Sequence, residues 1–586
     1  MDPLNQDQIA EVHFMVSQLQ IVLGQDNAAR KGAEEHLKNI KDGEPDKYSC
    51  YLTAVIMDPN AGQEIKALAC VVLRRGLNTN VQGKTTTLWE VLSPPAKQFI
   101  KTNLLATIRS VTTKDLIHKL SNLLVEIAGG MYDHENEAIW QELLNLVFEF
   151  VNSDNVLFVD SALQIFNGLF SYIIDHLNKF KSDLLGIFRK TLNHPSLDIR
   201  LASLQAVSNY LQTIEQADTK QFTQLIPDMV QVLVMATQEE DEVVLQDAWI
   251  EFNEIAEIEP KFFQKQFKDI FMNTCHIVSK SDFTNPQIRQ QPIEFYVTVI
   301  ERIPSIVKKT NTDLLKNLIE LVFKLMIDID EDIEDSWCRP KEGFKDADEG
   351  EEGEDNVNFG KGCVDKIVSA VGDELCLPLL SVIVSNVLEN NSDWRYKNAG
   401  LMAFSQVGEY IENIDDIRAM VPKVIEHLVH PNPKIRYSAI HCIGQISDDM
   451  TEDFQETYGK EVLPALIAVL DDPVPRVSAH CASAITNFMD GAQEELVLPF
   501  MGILSQKLGK MMTQGISIQK ENSVTAFASS AVAIKEHFDP HFAETVDLLL
   551  NCLNENPQPE YRQFRAQVIE AITLIASSVS EAAFEP

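Results

Sequence analysis

The stretches VIEHLVHPNPKIRYSAIHCIGQIS (424–447) and LIAVLDDPVPRVSAHCASAITNFM (466–489) align without a gap, and this internal repetition constrains the fold more than any other property of the chain. VSNVLENNSDWRYKNAGLMAFSQVGE (384–409) precedes them in the same register, so Tyr396, Ile435 and Val477 stand 39 and 42 residues apart. Looser copies are IFRKTLNHPSLDIRLASLQAVSNYL (187–211) and AVIMDPNAGQEIKALACVVLRRGL (54–77). A unit that returns every ~40–47 residues cannot bury its apolar face alone and must stack on its neighbours. The 586 residues also exceed what one compact core accommodates.

Within each copy the apolar residues recur at helical spacing, and strand alternation is almost absent along the chain. In KEVLPALIAVLDD, Val462, Leu463, Leu466, Val469 and Leu470 share one stripe. Pro473 and Pro475 then end that helix and set the turn. The next helix, RVSAHCASAITNFMD, carries small Ala and Ser residues that permit close approach to a neighbour. Two helices per unit, with Asp-Pro in the turn, favour HEAT over armadillo repeats. The expected fold is an all-α, right-handed superhelical HEAT-repeat solenoid of about thirteen helix pairs, with a concave face suited to wrapping a partner. It forms a single array over 1–586, with 538–586 as a last, uncapped repeat.

One segment breaks the array. DIDEDIEDSWCRPKEGFKDADEGEEGED (328–355) carries fourteen acidic residues against three basic ones. It separates TDLLKNLIELVFKLMIDI from GKGCVDKIVSAVG, two helices of one repeat (286–372), so it is an insertion inside a unit. Its ends are expected to be pinned while its middle moves. A run of like charge is ordinarily a solvated surface, but Trp337 and Phe344 argue against a purely solvating tail. Trp337 is expected to anchor the start, leaving Asp346 to Asp355 as mobile charge.

The formal net charge is −38. Such a surface repels phosphates and anionic lipid and attracts basic partners, which argues against direct nucleic-acid binding. Nine cysteines are scattered singly, with no C-x-x-C pair, so neither a zinc site nor a disulfide framework is indicated, and a reducing compartment fits. MDPLNQDQIAEVHF lacks the features of a secretory signal. LCLPLLSVIVSNVL, broken by Pro378, is too short and polar to span a bilayer. The chain reads as soluble and intracellular. VQGKTTT (81–87) fails as a phosphate loop because position 78 is Asn78 and not glycine. His427 and His430 could share a helix face, but no third metal ligand lies near in sequence. The serines lack a nucleophile elbow, and the adjacent Asp448 and Asp449 splay apart on a helix. No catalytic, cofactor or metal site is expected, and the chain is not expected to be an enzyme.

NSDWRYKNAGLMAFSQVGEYI, HPNPKIRYSAIHCIGQISDD and RVSAHCASAITNFMDG resemble consecutive central repeats of the importin-beta superfamily, and most closely the large beta-3 importins. ALACVVLRRGLNTN and LSNLLVEIAGGM are similar to that family's opening repeats. The insertion with its DSW sits where the family carries one, and the likeness extends to EYRQFRAQVIEAITLIASSV. The resemblance implies a monomeric nuclear import receptor that shuttles between cytoplasm and nucleus. Such a receptor binds basic nuclear localisation signals of cargo, such as ribosomal proteins and histones, on its concave face. It contacts phenylalanine-glycine nucleoporins in the pore and releases cargo on binding GTP-bound Ran. The acidity fits independently, since a negative groove steers basic ligands.

By this resemblance, residues 1–154 carry Ran-binding helices that include Lys66, Arg74 and Lys114. The insertion adds Asp346, Asp348, Glu349, Glu351, Glu352, Glu354 and Asp355 to that surface. Cargo is expected on repeats 373–537, at Glu409, Gln445, Asp449, Asn487 and Asp490. These lie near the ends of second helices, beyond the buried stripe. Carboxylates there would take lysine ammonium groups, and Asn487 would hold the peptide backbone; the alternative for Asn487 and Asp490 is a helix-end cap. Family members are about twice this length, and VIEAITLIASSV is apolar enough to expect a further repeat. The chain is therefore expected to be an N-terminal portion or a shortened member. The alternative class is a HEAT-repeat scaffold such as a phosphatase regulatory subunit, whose units are more uniform than these.

Overall fold

The computed structural model describes residues 6–81, 86–135, 140–280, 283, 285–308, 312–329, 335–340, 355–390 and 392–584. Among them the regular structure is helical, and the β pairing is limited to one isolated bridge between Asn80 and Thr87. The chain divides into two units, Met1–Thr274 and Cys275–Pro586. Each is an all-α solenoid of helix pairs, as the repeat predicts.

In the first unit the second helices of successive pairs form a row. These are α1 (Gln63–Leu77), α2 (Lys114–Glu135), α3 (Val156–Leu177), α4 (Leu197–Thr213) and α5 (Glu242–Ile258), each packed on the next. The first helices lie against them, Pro45–Met57 on α1 and Gln141–Val151 on α3. The second unit repeats the scheme with α6 (Gln290–Arg302), α7 (Asp355–Val371), α8 (Trp394–Phe404), α9 (Pro433–Asp449), α10 (Pro475–Asp490), α11 (Ser517–Ile534) and α12 (Arg562–Ser578). The insertion falls between Thr312–Met326 and α7, the two helices of one pair.

The turn chemistry explains where these helices start. Asn432 caps α9 by accepting the Lys434 N–H at 2.9 Å, and Pro433 and Pro475 stand at the head of α9 and α10, where a missing N–H costs nothing. Asp393 caps α8 through the Arg395 N–H at 3.0 Å. In the turn before α10, Asp472 accepts the Val474 N–H at 2.9 Å. It also takes a two-pronged contact from Arg436 of α9, at 2.6 and 2.9 Å. With side chains 12% and 5% exposed, this pair rivets one repeat to the next inside the stack.

Small residues set the spacing of the row, as the Ala and Ser content of α10 predicts. A Cβ on Gly444 of α9 would lie 3.0 Å from the Ala484 Cβ of α10. Close approach lets the Asn487 side chain reach back and donate to the Gly444 carbonyl at 3.3 Å. The next rung repeats it, with Asn522 of α11 donating to the Ala479 carbonyl at 3.0 Å.

Cys70, Cys363, Cys376, Cys442, Cys481 and Cys552 are buried, packing as small apolar groups, and burial pushes the Cys70, Cys363 and Cys376 thiols up to about 12. One segment that the sequence reading passed over, Val156–Ile174 in α3, is long and apolar enough to cross a membrane by length and composition. Half of it is buried, consistent with its place between α2 and α4.

Candidate functional site

Four of the five residues expected to meet cargo, Gln445, Asp449, Asn487 and Asp490, lie on second helices, whereas Glu409 lies outside them because α8 ends at Phe404. Asp449, at the end of α9, is the centre of the group. It is half-buried and accepts the Gln445 side-chain N–H at 2.7 Å and the backbone N–H of Glu409. Glu409 lies in the turn Gly408–Tyr410 that follows α8, and the turn reaches Asp449 because residue 408 is glycine: a Cβ there would sit 2.6 Å from Asp449 Oδ2. That turn is held from the other side by Tyr410, whose hydroxyl donates to Asp365 of α7 at 2.7 Å.

Burial raises the Asp449 carboxyl pKa, and the carboxylates of Asp448 and Glu409 push the same way, while the bond from Gln445 opposes them. This is a carboxylate held at some cost, which a cationic ligand would relieve. Glu409, Gln445 and Asp449 are thus brought together. Asn487 stands one helix along and is tied to α9 through Gly444, so it links helices and does not cap its own. Asp490 is exposed as the last residue of α10, where Gly491 forms the C-cap.

Sequence reasoning missed a second cluster on the same helices. Near the starts of α9 and α10, the rings of Tyr437 and His480 stack 4.0 Å apart, and His441 stacks on His480 at 5.5 Å. Burial drives the His441 imidazole down to about 4, helped by the Lys361 ammonium 3.4 Å away. Onto this stack comes Trp337, in a helical turn (Asp335–Cys338) of the insertion that packs on α10. Trp337 is 7% exposed, as its expected anchoring role requires. The 42-residue offset of Lys434 and Arg476, which flank it, was the signal available in the sequence.

The insertion's ends are pinned as expected. Arg289, just before α6, donates to the Asp328 carboxylate. Asn356, in the first turn of α7, donates to the same carboxylate at 3.4 Å and accepts the Gln290 side-chain N–H at 2.8 Å. Asp346, Asp348, Glu349, Glu351, Glu352 and Glu354 lie outside the described residues, and Asp355 is described only as the first residue of α7.

In the first unit, Lys66 and Arg74 are half-buried on α1, and Lys114 is exposed at the start of α2. Lys114 reaches past α3 to Asp198 of α4 at 3.5 Å, an exposed pair worth little by itself. The row also carries an amide ladder: Gln164 donates to Asn122 at 2.9 Å, Asn209 to Asn167 at 2.6 Å, and Gln212 to Glu254 at 3.0 Å. Beside it, burial raises the Glu251 carboxyl to about 7, with Glu254 and Asp247 adding to the shift and Ser208 opposing it. Its buried Oε2 has no hydrogen-bond partner among the described residues.

Because the folded pKa of Glu251 lies above the ordinary value of 4.5, the folded state holds the proton more tightly. The group's favourable share of stability is full below pH 4.5 and is lost as pH rises through 7. Glu251→Gln is expected to stabilise the first unit by about 1–3 kcal/mol at pH 8 and to be neutral at pH 4. Thermal unfolding across that range checks this, and a gain independent of pH would contradict it. His427 and His430 stack 5.9 Å apart, with Lys397 of α8 within 3.4 Å of His427, an inter-repeat contact. Among the described residues no group of three or more metal-ligating side chains converges.

The fold and this row of polar second-helix residues define a HEAT-repeat protein, and comparison with known families agrees. Three family profiles match: "IPO5-like, TPR repeats" over residues 112–273, "Importin repeat" over 281–378, and "HEAT repeat" over 420–450. Two of the three profiles are importin profiles, and the chain is similar to members of the importin-beta superfamily. It is 24% identical over 492 residues to importin subunit beta-3 of Saccharomyces cerevisiae, covering 83% of this chain and 43% of that protein. It is 22% identical over 561 residues to the probable importin-5 homolog of Dictyostelium discoideum, covering 94% and 50%. The crystal structure of Kap121p matches with a TM-score of 0.85 at 22% identity, over 98% of this chain and 54% of that one. Kap121p bound to RanGTP matches with a TM-score of 0.80 at 22% identity, over 98% and 53%. The chain spans about half the length of the relatives it matches.

Proposed function

We propose that the chain acts in nuclear import, as a receptor and not an enzyme, binding basic localisation signals on the second-helix row of its second unit. The observation that carries this reading is the Asp449 group: a half-buried carboxylate joined to Glu409 and Gln445, with Asn487 and the exposed Asp490 one helix along. A lysine ammonium, with three donors and no acceptor, matches the carboxylates, while the Asn487 amide matches a peptide backbone. The net charge of −38 supplies long-range attraction for basic cargo such as ribosomal proteins and histones. The receptor would shuttle between cytoplasm and nucleus as a monomer and contact phenylalanine-glycine nucleoporins on the way.

Release is assigned to GTP-bound Ran, in keeping with the relative whose structure was determined with RanGTP. Lys66, Arg74 and Lys114 of the first unit would contribute to its surface, together with Asp346, Asp348, Glu349, Glu351, Glu352, Glu354 and Asp355 of the insertion. Titration with Ran in its two nucleotide states tests this. The GTP form is expected to bind and the GDP form to bind far more weakly, and charge reversal at Lys66, Arg74 and Lys114 together should weaken the GTP form about tenfold or more. Equal affinity for both nucleotide forms would overturn the assignment.

A further inference from the structure

In a solenoid each repeat normally touches only its neighbours, so the stack has no long-range tie. The insertion breaks that rule within the second unit. Its root belongs to the repeat of α7, where Arg289, Asp328, Asn356 and Gln290 are joined. Its Trp337 is seated on α9 and α10, two and three second helices further along the row.

The seat is built for an indole. The Lys434 ammonium lies 4.7 Å from the ring centroid and the Arg476 guanidinium 4.9 Å, one from each helix. Tyr437 meets the indole edge-on at 5.6 Å and 74°. Tyr437 is itself backed by His480, so the floor of the slot is fixed by contacts that do not involve the insertion. Desolvated cation–π contacts of this kind are the stronger ones of their class.

Nine residue-to-residue steps lead from Asp328 to Trp337. That length of chain reaches at most ~30 Å. Two to three steps along a row of helices packed 8–10 Å apart amount to roughly 16–30 Å. A tether of that length limits how far α7 can move from α10 while Trp337 stays seated.

We infer that Trp337 is the buckle of a strap: docked between Lys434 and Arg476, it locks the spacing of α7, α8, α9 and α10, and its release frees that stretch to flex. A partner that binds the insertion and draws it away would loosen the row without touching it. This holds whatever the row itself binds.

Hydrogen exchange followed by mass spectrometry on the whole chain tests the strap. In Trp337→Ala, exchange is expected to rise about threefold or more in α8, which lies between root and slot, as well as in the first turns of α9 and α10. Trp337→Phe, which keeps an aromatic ring for both cations, should restore most of the protection. A change confined to the first turns of α9 and α10, with α8 unaltered, would show mere local packing and overturn the inference. Helix α3 of the first unit serves as the control for overall folding. Should Trp337→Ala lose protection there too, K434S/R476S decides instead: it leaves the indole in place and removes its cations. That variant is expected to loosen α8 in the same way, and an unchanged α8 would refute the strap.

Discussion

Asp472→Ala is expected to destabilise the second unit by about 3–5 kcal/mol, the largest effect of any single change considered. Removing the carboxylate leaves the Arg436 guanidinium in a buried position, 12% exposed, with the His430 and Pro431 carbonyls accepting from it at 2.8 and 3.0 Å but no counter-charge from Asp472. It also strips the Val474 N–H of its cap at the head of α10. The cost should appear as a lower denaturation midpoint for the second unit and faster exchange in α9 and α10. The paired apolar variant R436M/D472V should recover a large part of the loss, because a buried ion pair repays little beyond its own desolvation. Wild-type protection in Asp472→Ala would mean that the pair carries no structural weight.

Exchanging both Asp449 and Asp490 for asparagine is expected to weaken a lysine-rich localisation peptide by about 1–3 kcal/mol, roughly 5- to 150-fold. The asparagines keep shape and remove charge, so circular dichroism should be unchanged while calorimetric affinity falls. The raised pKa of Asp449 adds a second signature. As pH falls, this carboxylate takes up its proton earlier than an ordinary aspartate, so peptide affinity should begin to drop at a higher pH than usual. Asp449→Asn should flatten that part of the profile. Unaltered affinity in the double variant would remove Asp449 and Asp490 from the binding surface and move the cargo assignment elsewhere on the row.

Much of the fold was legible because its signals are local or periodic. The 39- and 42-residue spacings, the helical stripe through Val462 to Leu470, and the prolines at 473 and 475 each fix a helix or a turn without reference to distant parts of the chain. Stacking in a solenoid is between neighbours, so the period alone placed α8 against α9 and α9 against α10. The insertion was recognisable as interrupting one repeat, and its tryptophan as an anchor, from charge and composition.

What the sequence did not disclose are the contacts whose partners are set by packing across repeats. The spacing of Tyr437, His441 and His480 suits a helix core, and only the folded row shows them as a stacked floor beneath Trp337. Nothing in the run around Glu251 distinguishes it from a solvated glutamate; burial in the row is what lifts it to about 7. The role of Gly408 is likewise invisible until Asp449 of the next repeat occupies the space a Cβ would need. The sequence by itself determined the repeat, the helices and the acidic character, because these depend on periodicity and composition. Only the tertiary structure decided which polar groups meet and where Trp337 docks, because burial and proximity between repeats are properties of the stacked row and not of any one segment.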